Sequence, residues 1–74
     1  MDWIDVKDRL PNKGDIVLVT ETVPQVTGGV IRLIHMMGFK RRGHWWYTND
    51  GWRTNHPEWV THWMPLPKPA TGGE

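Results

Sequence analysis

Short apolar runs rich in β-branched and aromatic residues, bounded by glycine, proline and Asn-Asp-Gly signals, recur along this chain, and that pattern builds strands rather than helices. Residues 15–23 (D-I-V-L-V-T-E-T-V) are the clearest case. Ile16, Val17, Leu18 and Val19 are apolar on both faces, which suits a central strand. Pro24 ends it, and Gly28-Gly29 closes the connecting loop. Residues 30–37 then place Ile31, Leu33 and Met37 on one face and Arg32, Ile34 and Met36 on the other. Periodicity alone would also allow a helix here, but the β-branched residues and the preceding glycine pair favour a strand. Lys40-Arg41-Arg42-Gly43 reads as a basic turn, and H-W-W-Y-T at 44–48 as a third strand. Asn49-Asp50-Gly51 is a hairpin signal leading back into residues 52–54. Residues 55–58 form a loop in which Pro57 opens a single turn, and residues 60–64 are the last strand. Pro65, Pro67 and Pro69 then enforce an extended run.

The N-terminus follows a different pattern. Residues 2–11 predict an extended start and one helical turn, capped by Asp5 with Asp8 three residues later and stopped by Pro11. No internal repeat or linker divides the chain. The expected fold is therefore mainly β with a minor helical part. It is a small antiparallel sheet of about four to five strands with one short N-terminal helical turn. Residues 1–67 form one compact domain, and 68–74 a flexible tail.

Composition narrows the class. A chain of 74 residues buries only roughly 60% of its unfolded surface. The absence of cysteine removes disulfides and thiolate metal sites. No apolar run approaches the roughly 20 residues that span a bilayer, and the start is acidic rather than basic. A soluble domain of a reducing compartment, with no membrane contact, is expected. Two features stand out: six tryptophans in so small a core, and a charge asymmetry hidden by the net charge of +1. Residues 1–25 carry five acids and three bases, whereas residues 26–53 carry five bases (Arg32, Lys40, Arg41, Arg42, Arg53) and one acid, Asp50. Trp45, Trp46 and Trp52 fall inside that basic stretch.

The two ends carry recognisable motifs: Trp3-Ile4-Asp5-Val6-Lys7-Asp8-Arg9-Leu10-Pro11, then Val17-Leu18-Val19, and finally Val60-Thr61-His62-Trp63-Met64-Pro65-Leu66-Pro67. Over essentially the whole chain the sequence resembles a small family of phage and prophage proteins catalogued only as a domain of unknown function. The family's usual Ser is Asp5 here, and either residue caps a turn. Residues 38–59 depart most, being more basic and richer in tryptophan. The resemblance implies a virus-encoded accessory protein of the bacterial host cytoplasm and supplies no mechanism. Physically, Trp3, Ile4, Leu10, Trp63 and Leu66 read as a clamp joining the chain ends, with Asp8 and Arg9 tying down backbone or each other.

Chemistry is sparse. There is no Ser or Cys nucleophile, no recognisable carboxylate pair and no glycine-rich loop opening a helix, so no enzyme is expected. His35, His44, His56 and His62 are nine, twelve and six residues apart, which places no two metal ligands on one element. Only His44 and His62 read as able to meet across adjacent strands. No metal and no cofactor is expected. The sharp hypothesis is an anion site built from Arg41, Arg42, His44, Trp45, Trp52 and Arg53. Guanidinium groups fork onto phosphate, and indoles offer stacking faces. Because Trp45 and Trp46 are neighbours in a strand, at most one faces a ligand; Trp45 is the one assigned. The plainer alternative is that the rings are core and interface and the arginines a solvated turn.

Three functional readings follow. The first is phage counter-defence by binding, either sequestering a nucleotide-type signal or blocking a host immune component. The second is a protein–protein module that inhibits a host enzyme or serves phage assembly, using interface-enriched Trp, Tyr, Arg and Met. The third is single-stranded nucleic-acid binding. A duplex is not expected as partner, since the net charge is small and the first third acidic. A homo-oligomer is expected, because a small cysteine-free domain gains stability by burying an apolar face against its copy.

Overall fold

The computed structural model describes residues 2–67. It contains five strands: β1 (Ile4–Asp5), β2 (Ile16–Pro24), β3 (Val30–Arg41), β4 (His44–Tyr47) and β5 (Val60–Pro65). A single 3₁₀ turn, Pro57–Trp59, precedes β5. The strands form one antiparallel sheet in the order β1-β5-β2-β3-β4. The strand with apolar residues on both faces, β2, is the middle one, as that pattern requires. The expected tail from residue 68 onward lies outside the described residues. Among those described, no helix is long and apolar enough to cross a membrane.

Strand parity sorts the side chains into two faces. Val17 and Val19 of β2, Met37 and Phe39 of β3, Trp45 of β4 and Val60 and Trp63 of β5 are buried together, with Ile4, Val6, Leu10 and Tyr47 packed against them. Each such side chain contributes roughly 1.5–3 kcal/mol by leaving water. Val60 and Trp63 are three apart, which a regular strand would send to opposite faces. A bulge opposite Thr20 and Glu21 adds one residue to β5 and turns both inward.

The chain ends are joined as the terminal motifs imply. Ile4 lies opposite Trp63 across the β1–β5 pair. Asp5 caps the following turn: its Oδ1 accepts the Lys7 N–H at 2.8 Å, and its carbonyl accepts those of Asp8 and Arg9 at 2.9 and 3.2 Å. That turn does not continue into a helix. It delivers the Arg9 carbonyl to the Trp63 indole N–H at 2.8 Å, with the guanidinium 5.6 Å from the ring centroid. Trp3 and Leu66 remain exposed at the margin of this clamp.

Three local expectations change. Strand β3 runs to Arg41, beyond the expected end at residue 37, and the turn shrinks to Arg42-Gly43. Phe39 causes the extension: it is buried, and its N–H and carbonyl bond to the Asp15 carbonyl at 2.9 Å and the Gly14 N–H at 2.7 Å. The return segment at 52–54 makes only an isolated bridge, Trp46 to Arg53. His44 and His62 do not meet, since β2 and β3 lie between their strands.

Candidate functional site

The second face of the sheet is the one without the main core. Register places Ile16, Gly38 and Trp46 in one row across β2, β3 and β4. The middle member has no side chain, so the row becomes a slot with an isoleucine wall, a tryptophan wall and a glycine floor. The resulting hollow is about 390 Å³ and lined almost entirely by apolar atoms, a volume within the range of small-molecule sites. Gly38 is not required by the backbone. Its φ lies outside the left-handed region, and a Cβ built there meets nothing within 4 Å. What glycine supplies at this position is the open floor.

Cations gather at one end. Register shifts between Phe39 and Arg41, so Lys40 and Arg41 both oppose His44. This bulge turns two consecutive basic side chains toward the same end of the slot. Lys40 and Lys13 line the hollow, and the Lys40 Nζ sits 5.2 Å from the centroid of the Trp46 ring. Arg53 arrives beside Trp46 through the isolated bridge. The combined field is visible on His44. Partial burial first, then the charges of Arg41, Arg53 and Lys40, hold its pKa below the ordinary 6.5.

The six expected site residues are thus divided. Arg41, His44 and Arg53 stand at the cationic end of the slot, and none of the six lines the hollow itself. Arg42 lies exposed in the β3–β4 turn. Trp52 is 73% exposed, held beside Tyr47 by the Tyr47 N–H to Trp52 carbonyl bond at 2.9 Å. Trp45 is corrected: at 3% exposure it belongs to the core, its ring 4.9 Å from that of Phe39, and it has no face to offer a ligand. Its neighbour Trp46, 40% exposed, takes the open position. The choice between two adjacent tryptophans depends on register with β3, which the local sequence does not carry. Gly38 did carry a signal: a glycine inside an otherwise apolar strand marks a gap.

A polar cluster was missed altogether. Glu21 is 2% exposed, on the same inward parity as Val17 and Val19. The Tyr47 hydroxyl donates to its Oε1 and Oε2 at 2.9 and 3.1 Å, and His35 Nε2 lies 3.2 Å from Oε1. Thr54 Oγ1 is 3.5 Å from the same hydroxyl. No buried side-chain polar atom among the described residues lacks a partner, so this cluster reads as a satisfied support. Tyr47 follows Trp46 in β4 with its ring on the inward face, so Glu21 anchors the strand that carries the slot's tryptophan wall. The detectable signal was a carboxylate occupying an inward position of an alternating strand. Among the described residues, no group of three His, Cys, Asp or Glu could hold a metal ion.

Residues 2–71 match the family described as "Protein of unknown function (DUF551)", and the chain belongs to that family. No curated protein and no solved structure matches it.

Proposed function

We propose that this member of a family of unknown function is a non-catalytic binding domain whose ligand is a flat aromatic ring bearing an anion, of the nucleotide type. The observation that carries this is the slot between Ile16 and Trp46, floored by Gly38 and edged by Lys13 and Lys40. A ring lying in the slot stacks on an indole, a contact worth about 1–3 kcal/mol. An attached phosphate then falls toward Lys40, Lys13, Arg41 and Arg53, where charge-assisted hydrogen bonds await it. The site offers positioned donors and a stacking face, and its lining holds no nucleophile paired with a general base, which favours holding a ligand over transforming it.

The phage setting implied by the terminal motifs extends such binding to sequestration of a nucleotide-type signal used in host defence. That biological role rests on the resemblance; the chemistry rests on the slot. A second reading is supported by Ile34 and Met36, which lie on the same face and are exposed. They would let a host protein cover the slot instead of a small molecule.

The test separates binding from folding. Gly38→Val places a β-favouring side chain where a Cβ meets open space. It should leave the unfolding midpoint unchanged or raised while filling the floor. Titration calorimetry with a panel of mono-, di- and cyclic nucleotides should show micromolar binding to the native chain, weakened at least ten-fold by Gly38→Val and by Trp46→Ala. A native chain that binds none of the panel removes the nucleotide reading. Capture of a stoichiometric host protein, lost in the same variants, would transfer the site to the second reading.

A pH prediction follows from His44. Its protonated form is disfavoured beside three cations in the free protein, and a bound anion relieves that repulsion. Binding therefore takes up a proton, and affinity should increase as pH falls below 6.5. His44→Gln removes the part of that increase due to the imidazole, which affinities compared across pH 5 to 8 would reveal. Equal slopes in the two proteins would show that His44 is outside the ligand's field.

A further inference from the structure

Strand β3 has twelve residues, but β4 pairs with it only from Met37 to Arg41. Thr48 adds one contact beyond this, its N–H and hydroxyl reaching the Met36 carbonyl at 3.4 and 3.2 Å. From Val30 to His35 the outer edge of β3 has no strand beside it among the described residues. Backbone groups alternate sides along a strand. Those of Phe39 turn toward the β2 side, bonding Gly14 and Asp15, and the Met36 carbonyl turns toward β4. Even-numbered residues therefore face outward, so Arg32 and Ile34 present their N–H and carbonyl groups along an open edge.

This edge lacks the features by which open strands avoid pairing. It has no proline, no lysine and no bulge, and Arg32 is its single charged residue. It is also apolar on both faces: Val30, Ile31, Leu33, Ile34 and Met36 are between 42% and 63% exposed. Pairing along this edge satisfies its open backbone groups and brings the flanks of these side chains against their cross-strand neighbours.

We infer that the Ile31–His35 edge is a dimerisation strand whose occupant is the same edge of a second copy, paired antiparallel about a two-fold axis at Leu33. An isologous pair uses one surface twice, so an edge complementary to itself needs no other partner. The Leu33 register follows from charge and overlap. Centring on Arg32 would set two guanidinium groups directly opposite, a destabilising arrangement. Centring on Leu33 pairs Arg32 with the partner's Ile34, and Ile34 with the partner's Arg32, forming four backbone hydrogen bonds. It also sets Leu33 against the partner's Leu33 in a non-hydrogen-bonded pair. The two β3 strands then join two five-stranded sheets into one of ten strands.

Sedimentation equilibrium should give twice the 8.7 kDa chain mass at about 50 µM. Ile34→Pro removes an outward N–H without touching the β2 ladder, and Ile34→Lys adds a charge to the edge. Each should raise the dimer dissociation constant at least ten-fold with an unchanged circular dichroism spectrum. Non-hydrogen-bonded antiparallel pairs bring Cα atoms within disulfide range. In this cysteine-free chain, Leu33→Cys should therefore cross-link to its copy on mild oxidation, whereas Val26→Cys should not. A monomeric native chain overturns the proposal, including one that captures a foreign extended peptide on this edge. So does a dimer unaffected by both Ile34 variants, or one in which Leu33→Cys fails to cross-link.

Discussion

Trp45→Ala is expected to cost about 3–5 kcal/mol, enough to leave much of a small, marginally stable domain unfolded. Trp45 is buried in the cluster that joins β2, β3, β4 and β5, and its ring lies 4.9 Å from Phe39 at 60°. Its carbonyl also accepts the Thr54 N–H at 2.9 Å, which fixes the segment after the 48–50 turn. Removing the ring opens a cavity that the sheet cannot close without moving that segment. Trp46→Ala, one residue away, removes a half-open ring from the other face. It should change stability by no more than about 1 kcal/mol, while abolishing ring stacking in the slot. Urea denaturation of both variants measures the contrast. Similar losses for the two would mean that Trp46 is also a core residue and that the slot is closed.

The second large effect is expected at Glu21. Truncation to alanine takes the acceptor from the Tyr47 hydroxyl and the partner from His35 Nε2, leaving the hydroxyl with Thr54 at 3.5 Å. Orphaned polar groups and a small cavity together cost about 2–4 kcal/mol. Glu21→Gln keeps shape and one acceptor oxygen, so about 1–2 kcal/mol is expected. A double-mutant cycle of Glu21→Gln with Tyr47→Phe should show clear coupling, since the two act through one hydrogen bond. Additive losses would show that the carboxylate is held by something other than the phenol.

The same cluster sets behaviour at alkaline pH. Burial first, then the Glu21 hydrogen bond and the charges of Glu21 and Asp50, push the Tyr47 pKa above the ordinary 10.0, with the Thr54 contact opposing them. A raised pKa means that the folded state favours the neutral phenol. The associated stability is present below pH 10 and lost as pH climbs through the folded value. Tyr47→Phe should flatten that alkaline limb in thermal denaturation, and an unchanged limb would assign it to other groups.

Much of the strand pattern was readable along the chain. The doubly apolar start of β2 marked the central strand, and Ile31, Leu33 and Met37 share a face in the sequence as in the structure. Asp5 was legible as a cap because its bonds span two to four residues. Less was readable wherever two segments meet. The β5 bulge that turns both Val60 and Trp63 inward depends on β2, and the bulge that gathers Lys40 and Arg41 depends on β4. Assigning Trp45 rather than Trp46 to the ligand was a register error of one residue, and such a slip exchanges the faces of a whole strand.

Sequence alone, then, determined the fold class, the central strand, the joining of the ends and the basic, tryptophan-rich stretch in which to search. These follow from periods, caps and composition, which are local properties of a chain. Tertiary structure decided which tryptophan is core and which is wall, that Gly38 floors a slot, and that Glu21 is buried beneath a tyrosine. The physical reason is that a strand defines two faces but not which one is covered. Only its pairing with neighbouring strands settles that, and here the neighbours come from distant parts of the chain.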